Sequence, residues 1–357
     1  MAEEVKLLIL LVTGDCNLRC RYCYAGGGEK KEYMSWETAR KAVDYVAARS
    51  KSFKIQFSGG EPLLNFPLVK RVIEYVKTRC GSATFQLQTN GTLIDRTLAR
   101  ELKNLGVRPG VSLDGPLDTN DHLRPFVEGE GSTLSVVRGL QFLAAEGIRV
   151  GLTTVLTTES ARTLPQLVDL AAYLGNVYGI SLDLFRPLGR GLKTGLSAPN
   201  LNLLEDQVRA ALHRADQLVR LGGPRVRFRE LERLCYQITR GVVREEYCYA
   251  ATGQCMAVVP GGGVYPCASL ISLPHFYLGN IGDKNFSLTE AVAGKEWIGR
   301  RVEMMTKCKG CFDRCFCGGG CLARTYAYTG RVDRPYEGDC VLKKIFLDWV
   351  RQADGAC

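Results

Sequence analysis

Short apolar runs alternate with amphipathic stretches along the first half of the chain, which is typical of repeated βα units around a parallel sheet. Ser35 and Asp95 stand where they can cap the first and third helices. Residues 188–200 are rich in Gly, Pro and Ser and are predicted to form a linker to a further helix at 203–221. The predicted strands are 5–12, 53–57, 84–88, 107–113, 148–156 and 180–185, and the predicted helices between them are 35–48, 67–78, 95–105, 132–146 and 164–174.

The predicted fold class is α/β, with a partial (β/α)6 TIM-like barrel followed by a small cysteine-rich C-terminal domain. A closed barrel of this kind needs eight units, and the chain offers six. Ligands of parallel sheets bind at the carboxyl ends of the strands, so the functional residues are expected there. The predicted divisions are the barrel at 1–187, a linker with bridging helices at 188–247, the cysteine-rich domain at 248–340 and a C-terminal helix at 341–357.

Composition narrows the classes of function. The 357 residues carry a net charge of +10, but basic and acidic residues are interleaved, which favours a basic surface over nucleic-acid binding. The apolar segment at 7–12 is far shorter than a membrane span and has no cleavage-site pattern, so a cytoplasmic protein is expected. Fifteen cysteines in such a compartment favour metal ligation over disulfides.

Three of the cysteines follow the first predicted strand as Cys16-x3-Cys20-x2-Cys23. Three thiolates from one short loop can hold three irons of a cubane cluster and leave the fourth iron without a protein ligand. Zinc would normally require a fourth protein ligand, and a structural zinc site or a chance group of cysteines is the alternative. The motif therefore predicts an iron–sulfur cluster with one iron open to chemistry.

These cysteines, together with Tyr22 and the segment Gly59-Gly60-Glu61-Pro62 after the second strand, resemble the radical S-adenosylmethionine (SAM) superfamily. The resemblance implies that Cys16, Cys20 and Cys23 bind a [4Fe–4S] cluster whose open iron chelates SAM. One electron from the reduced cluster then cleaves the sulfonium, and the 5′-deoxyadenosyl radical so formed removes a hydrogen from the substrate.

The same resemblance implies a set of SAM contacts at the strand ends, with Tyr22 beside the adenine and the Gly59 to Pro62 edge at the methionine amino group. For Arg124 the alternative is a surface arginine in the loop at 121–124, and for Asn90-Gly91 it is an ordinary turn. The predicted contacts are Tyr22, Ser58, Gly59, Gly60, Glu61, Pro62, Ser112, Asp114 and Arg124.

Ten of the fifteen cysteines lie from Cys248 onward. Their order, with Gly262 before Cys267, resembles the SPASM domain, which carries auxiliary iron–sulfur clusters in peptide- and protein-modifying radical SAM enzymes. A zinc ribbon is the alternative, but it would need only four ligands. The resemblance implies two further [4Fe–4S] clusters that serve electron transfer, one on Cys248, Cys255, Cys267 and Cys321 and one on Cys308, Cys311, Cys317 and Cys340.

Four cysteines have no predicted ligand role. Cys80 and Cys235 lie outside both patterns, and buried packing is expected for Cys80 on its helix. Cys315, inside the cluster loop, and the terminal Cys357 are candidate reactive thiols.

The resemblance implies an oxidoreductase that makes a radical on a ribosomally made peptide and oxidises it to a thioether or carbon–carbon cross-link. One alternative is an anaerobic sulfatase-maturing enzyme that forms formylglycine, but that family has an aspartate directly after the cysteine matching Cys267, where this chain has Ala268. A non-catalytic iron–sulfur electron carrier is disfavoured, because it would not need the Gly-Gly-Glu-Pro edge.

The expected partners follow from this interpretation. They are a peptide or protein substrate and an electron donor such as flavodoxin or ferredoxin, with no nucleic acid and no membrane. Many relatives have an N-terminal winged-helix module that binds a leader peptide, but this sequence begins fifteen residues before Cys16. Either a separate leader-peptide-binding protein or the barrel and linker are therefore expected to recognise the substrate.

Overall fold

A computed structural model describes residues 4–79 and 82–352, and its central feature is one ten-stranded sheet. The strands lie in the order β10-β9-β8-β1-β2-β3-β4-β5-β6-β7, and all neighbours from β8 to β7 are parallel. The strands are β1 (Leu7–Thr13), β2 (Ser52–Gly59), β3 (Ser82–Thr89), β4 (Val107–Ser112), β5 (Val150–Leu156), β6 (Val177–Leu184), β7 (Arg227–Phe228), β8 (Cys255–Val258), β9 (Gly263–Tyr265) and β10 (Gly279–Asn280).

Helices connect the parallel strands and cover the outer face of the sheet. Short 3₁₀ turns, such as Pro62–Asn65 after β2, complete several connections. The α-helices are α1 (Trp36–Ala47), α2 (Phe66–Arg79), α3 (Arg96–Leu105), α4 (Leu117–Leu123), α5 (Thr133–Ala145), α6 (Thr158–Arg162), α7 (Leu164–Leu174), α8 (Leu201–Arg220), α9 (Arg229–Arg240), α10 (Leu288–Val292), α11 (Arg314–Cys317), α12 (Leu322–Thr329) and α13 (Glu337–Gln352).

The local sequence explains where the first helices begin and end. The Ser35 hydroxyl accepts a hydrogen bond from the Thr38 backbone N–H, and the Asp95 carboxylate accepts one from Leu98, as predicted for both caps. Gly106 ends α3 in the left-handed conformation, which costs glycine no side-chain clash. The strands alternate buried and less buried residues, so that one face packs on the helices and the other lines the barrel interior.

The α/β class and the partial barrel are confirmed, and the first six strands lie where the pattern predicts them. Two short helices of the barrel, α4 and α6, were not predicted, and neither were the short helices α10, α11 and α12 of the cysteine-rich region. The segment Asp121–Leu123 was expected in a loop, which is wrong, because it forms the last turn of α4. The helix α6 begins at a capping box of Thr157 and Ser160 that spans too few residues to show helical periodicity.

The predicted cysteine-rich domain shares the sheet of the barrel. Its first strand, β8, pairs in parallel with β1, with Leu7 opposite Cys255. The C-terminal helix α13 begins at Glu337, and Cys340 therefore lies in its first turn. The division of the chain at residue 248 stays a prediction, and the sheet is continuous across it.

In the described residues, no helix combines the length and apolar character that a membrane crossing requires.

Candidate functional site

The three cysteines of the first motif lie in the loop between β1 and α1, at the carboxyl end of β1. Burial raises the pKa of the Cys16 thiol to about 12, and the nearby Cys20 adds to the shift. Burial likewise raises the pKa of Cys20 to about 11, opposed by Arg124 and reinforced by Cys23. The three thiols are thus one electrostatically coupled group, which would release its protons on binding a metal.

Backbone groups of the same loop close around the sulfur atoms. The Leu18 N–H donates to the Cys16 sulfur at 3.4 Å, and the Gly27 N–H donates to the Cys23 sulfur at 3.3 Å. A Cβ on Gly27 would lie 3.4 Å from the Cys16 Cβ and 3.6 Å from the Cys23 sulfur. Such N–H···S hydrogen bonds tune the reduction potential of iron–sulfur clusters.

The Gly59-Gly60 segment is pressed against the cysteine loop. The Gly60 N–H donates to the Thr13 carbonyl and the Glu61 N–H to the Asp15 carbonyl, both at 2.8 Å. A Cβ on Gly60 would lie 2.1 Å from the Asp15 carbonyl oxygen, and Gly59 has φ +138°. Both positions therefore require glycine, and the close approach fixes the loop to the end of β2.

The Glu61 carboxylate is completely buried and already has three donors from the protein. Oε1 accepts from the Leu63 N–H at 3.1 Å and the Thr89 hydroxyl at 2.7 Å, and Oε2 accepts from the Asn90 N–H at 2.8 Å. Burial raises the pKa of Glu61, and these hydrogen bonds oppose the rise. Glu61 thus ties β2 to the end of β3, and its predicted contact with the methionine ammonium would use its remaining acceptor capacity.

Tyr22, Asp114 and Arg124 form a buried network beside the cysteine loop. The Tyr22 hydroxyl donates to the Asp114 carboxylate and accepts from Arg124, whose guanidinium also lies 3.8 Å from Asp114. Burial raises the pKa of Asp114, which Arg124 opposes. The alternative of a surface arginine is wrong, because Arg124 is only 6% exposed.

The serines and Asn90 also lie at the strand ends, as predicted. Ser58 is nearly buried on β2, and the Ser112 hydroxyl accepts from Gln88 at 3.1 Å. Asn90 is more than a turn residue, because its amide donates to the Asn17 side chain at 2.8 Å and so links the cysteine loop to β3. Whether these residues and Pro62 contact SAM stays a prediction.

Sequence reasoning missed the role of Arg190, which lies in the predicted linker. Its guanidinium donates to the carbonyls of Cys20 and Gly27, each at 2.9 Å, and its backbone N–H donates to the Cys23 carbonyl at 2.9 Å. The segment after β6 therefore packs on the cysteine loop. A single arginine in a stretch rich in Gly, Pro and Ser gives no periodic signal that could have revealed this.

The structure brings Cys248, Cys255, Cys267 and Cys321 together. Burial raises the pKa of Cys267 to about 12, and the nearby Cys321 and Cys248 contribute to the rise. Burial also raises the pKa of Cys255 well above its ordinary value, and Cys267 and Cys248 add to this shift. Cys255, whose assignment rested only on its place between two predicted ligands, thus lies with the other three.

A second group consists of Cys308, Cys311, Cys317 and Cys340. Burial raises the pKa of Cys340 to about 12, reinforced by Cys317, Cys308 and Cys311. Burial raises the pKa of Cys308 to about 11, reinforced by Cys317 and Cys311. The predicted second set of ligands is therefore also one spatial group.

Within residues 4–79 and 82–352, no group of three or more His, Cys, Asp or Glu side chains has the arrangement of a single-ion site. In a cubane cluster each thiolate binds a different iron, so its ligands spread more widely than those of zinc. The thiols, their mutual charge and the N–H···S bonds suit such clusters, while the number bound and each ligand stay predictions.

Tyr24 and a buried ionic network connect the first group of thiols to the auxiliary ones. Burial raises the pKa of Tyr24, and the nearby Cys267 and Cys23 add to the rise. The Arg186 guanidinium lies 5.3 Å from the centre of the Tyr24 ring and opposes the rise. Arg324 donates to Asp183 and to Asp339, each at 2.7 Å. Asp339 in turn accepts from the Cys321 N–H at 3.0 Å. The end of β6 is thereby joined to the cysteine loop through Tyr24 and to the segment that carries Cys321 through Arg324.

The remaining cysteines differ from one another. Cys235 is disulfide-bonded, which is an exception to the expectation of free thiols. Cys315 lies in α11 and its carbonyl accepts from the Arg244 N–H at 2.7 Å. The predictions for Cys80 and Cys357 lie outside the described residues.

Comparison with known sequences gives a match to the radical SAM superfamily over residues 10–171. An uncharacterised protein, MJ0907 of Methanocaldococcus jannaschii, is 36% identical over 289 residues, which are 80% of this chain and 92% of that protein. The serine-type anaerobic sulfatase-maturating enzyme of Klebsiella aerogenes is 27% identical over 87% of this chain and 78% of its own length. The radical SAM cyclopropyl synthase TigE of Paramaledivibacter caminithermalis is 24% identical over 97% of this chain and 74% of its own length.

Among solved structures, anSMEcpe with bound AdoMet and the Cp18Cys peptide has the same fold. Its TM-score is 0.81, it covers 98% of this chain and 97% of its own, and the sequence identity is 22%. The similarity extends over the barrel and the cysteine-rich region alike.

Proposed function

Because this chain belongs to the radical SAM superfamily, we propose that it is a peptide-modifying oxidoreductase of the SPASM-containing group. It removes a hydrogen from a ribosomally made peptide and oxidises the resulting radical to a thioether or carbon–carbon cross-link. The observation that carries the proposal is the connection of the three-thiol group to the four-thiol group around Cys267 through Tyr24, Arg186 and Arg324.

An oxidation of this kind removes two electrons and two protons from the peptide. The hydrogen-abstraction step takes one electron and one proton together, and the second electron needs an acceptor close to the barrel. A cluster with four thiolate ligands has no open iron, so its natural role is to accept or pass on an electron. The groups around Cys267 and Cys340 would supply two such acceptors.

When bound, the cluster of the first loop supplies the electron that cleaves SAM and so generates the hydrogen-abstracting radical. Cys16, Cys20 and Cys23 would hold it, and Gly27 and Gly60 allow the backbone to close around it. Glu61 and the network of Tyr22, Asp114 and Arg124 keep the surrounding strand ends in place. Glu61, Tyr22, Asp114 and Arg124 are buried, whereas the three cysteines are half-buried.

One comparison supports a peptide substrate, namely the fold shared with anSMEcpe, which was solved with a bound peptide. The similarity over nearly the whole chain to TigE, which is named as a radical SAM cyclopropyl synthase, supports radical chemistry that forms new bonds. An electron donor such as flavodoxin or ferredoxin is the further partner we propose.

Anaerobic turnover of the reconstituted full-length protein with candidate peptides tests this function by mass spectrometry. We expect a product lighter by two hydrogens, with one SAM consumed for each peptide modified and a fragmentation-resistant ring in the product. The variant with Cys16, Cys20 and Cys23 replaced by Ala is the control. Catalytic reuse of SAM, or a product of unchanged mass, would contradict the proposal.

Sulfatase maturation is the second candidate, favoured by the shared fold and by the relative in Klebsiella aerogenes. The segment after Cys267 argues against it, because Ala268 and Ser269 start a 3₁₀ turn where the sulfatase-maturing enzymes have an aspartate. Incubation with a sulfatase peptide that carries Cys or Ser decides between them. Formylglycine in that peptide would support this second function and not the first.

A further inference from the structure

A cavity lies at the amino-terminal end of the barrel, opposite the end that carries the cysteine loop. It has a volume of about 180 Å³ and is formed by β2 to β6 and by the start of α9. Polar and basic side chains dominate its wall, among them Gln56, Gln86, Arg108, Arg149, Tyr178 and Arg229.

Three glycines form the floor of this cavity. Gly110, Gly151 and Gly179 lie on β4, β5 and β6 and are direct neighbours in the sheet, since Gly110 pairs with Gly151 and Gly151 with Gly179. A Cβ on Gly110 would lie 2.8 Å from the Gln88 side-chain oxygen, and one on Gly151 would lie 3.2 Å from the Tyr178 hydroxyl. The absence of side chains on these glycines therefore lets Gln88 and Tyr178 pack close to the sheet at the cavity wall.

The cations around the cavity form no close ion pairs. Within the described ranges, no carboxylate lies within 4.0 Å of Lys54, Arg108, Arg149 or Arg229, although Arg149 lies 5.5 Å from the Tyr178 ring. Burial lowers the pKa of Lys54, and the neighbouring Arg229 and Arg108 lower it further. The cavity is therefore surrounded by like charges that repel one another.

Two acidic side chains lie close by. Glu232 lines the cavity and pairs with Arg227 at 2.7 Å. Glu230 accepts from the Ser181 hydroxyl at 3.0 Å through Oε1, while its Oε2 has no hydrogen-bond partner. The amino terminus of α9, at Arg229, adds the positive end of a twelve-residue helix to the same side. The local charge is thus positive.

The basic rim of this cavity lies away from the predicted SAM contacts. On β4, Arg108 precedes Ser112 by four residues, which corresponds to about 13 Å along a strand. The inner wall of the cavity reaches further, because it includes Gln88, which donates to Ser112 on the neighbouring strand at 3.1 Å. A ligand held by Arg108 and Arg149 would therefore lie at the amino end of the barrel.

We propose that this cavity binds a compact polyanion that carries phosphate or carboxylate groups. Arginine presents a planar fork that suits both groups, and Arg108 and Arg149 project from neighbouring strands toward the rim. Gln56 and Gln86 supply side-chain amides for the ligand's oxygen atoms. The proposal does not depend on which peptide the enzyme modifies.

Isothermal titration of the reconstituted full chain tests the proposal, with sodium pyrophosphate and sodium citrate as probes and sodium chloride at equal ionic strength as the blank. We expect saturable binding of at least one probe, and at least tenfold weaker binding to Arg108→Ala. The matched control is Arg220→Ala, an exposed arginine on α8 that pairs with Asp216. Iron content and SAM cleavage should be equal in all of these proteins.

The two probes identify the ligand class. Binding of pyrophosphate alone indicates a phosphate ligand, citrate alone a carboxylate ligand, and binding of both a general anion site. If Arg108→Ala does not fold, Arg149→Gln, an exposed change at the rim, takes its place. Absence of saturable binding to the unaltered protein, or equal affinity in the cavity variant and in Arg220→Ala, would overturn the proposal.

Discussion

The cysteine loop of the barrel and the cysteine-rich region at the C-terminus are held in place in different ways. The loop is anchored by regular strands, through hydrogen bonds from Gly60 and Glu61 to the carbonyls of Thr13 and Asp15. The C-terminal groups lie among short helices and turns, where Val302, Met305 and Cys308 form only a small apolar cluster of their own.

In the C-terminal region, buried arginines replace part of the missing regular structure. Arg300 donates to the carbonyls of Gly319 and Gly320, each at 3.0 Å, and to Val332. Arg324 connects Asp183 with Asp339. Backbone hydrogen bonds between strand ends thus hold the barrel loop, whereas buried side-chain ion pairs hold much of the C-terminal region, and we expect metal ligation to add more to the stability of the C-terminal groups.

The largest effect is expected from replacing Cys16, Cys20 and Cys23 together with Ala. SAM cleavage should be lost, and the iron content should fall from about twelve to about eight per chain, since one of three four-iron clusters is removed. The melting temperature should change little, because the strands hold the loop. Iron analysis measures the iron content, chromatography of 5′-deoxyadenosine measures SAM cleavage, and calorimetry measures the melting temperature. An unchanged iron content would mean that these three cysteines are not cluster ligands.

A second prediction concerns the auxiliary group that contains Cys255. Cys255→Ala should remove up to about four irons and lower the melting temperature, because ligation there would connect β8 to the irregular segments that carry Cys248 and Cys267. SAM cleavage should continue while peptide oxidation per SAM consumed falls. Cys315→Ala is the matched control, since no ligand role is assigned to it, and equal iron loss in both variants would contradict the grouping.

Glu61→Gln should reduce both stability and SAM affinity. The amide NH2 group of glutamine is a donor, and it would face N–H or O–H groups that now donate to the carboxylate. Each hydrogen bond to a charged group that is lost in this way costs about 1.5 to 3 kcal/mol. We expect a lower free energy of unfolding and roughly tenfold weaker SAM binding by the folded protein. Glu74→Gln, an exposed change on α2, is the control for both measurements. Equal SAM affinity in the two variants would exclude Glu61 from the site.

The smallest expected effect is that of Tyr22→Phe. Without the hydroxyl, Asp114 and Arg124 lose a buried partner, and an unsatisfied buried group costs about 1 to 2 kcal/mol. Denaturant unfolding should show this loss, and SAM binding should weaken with it, while the iron content stays the same. Tyr173→Phe serves as the control, because Tyr173 is 81% exposed. If Tyr22→Phe were as stable as this control, the hydrogen bonds of Tyr22 would not contribute to the stability of the fold.

The sequence determined the class of fold and the place of the chemistry. Strands and helices have different hydrophobic periods, so six βα units could be predicted, and Ser35 and Asp95 marked helix starts through side chains that act locally. The cysteine spacings, together with Gly59-Gly60-Glu61-Pro62, identified the superfamily. These signals are carried by residues close together in the chain.

The tertiary structure alone decided what joins distant segments. The buried partners of Glu61, the network of Tyr22, Asp114 and Arg124, and the packing of Arg190 on the cysteine loop bring together residues 28 to 170 positions apart. Likewise, the glycine floor at the amino end of the barrel exists only through the register of three strands. Hydrogen bonds and charge pairs of this kind leave no periodic pattern, because each depends on the position of a partner that only the folded chain supplies.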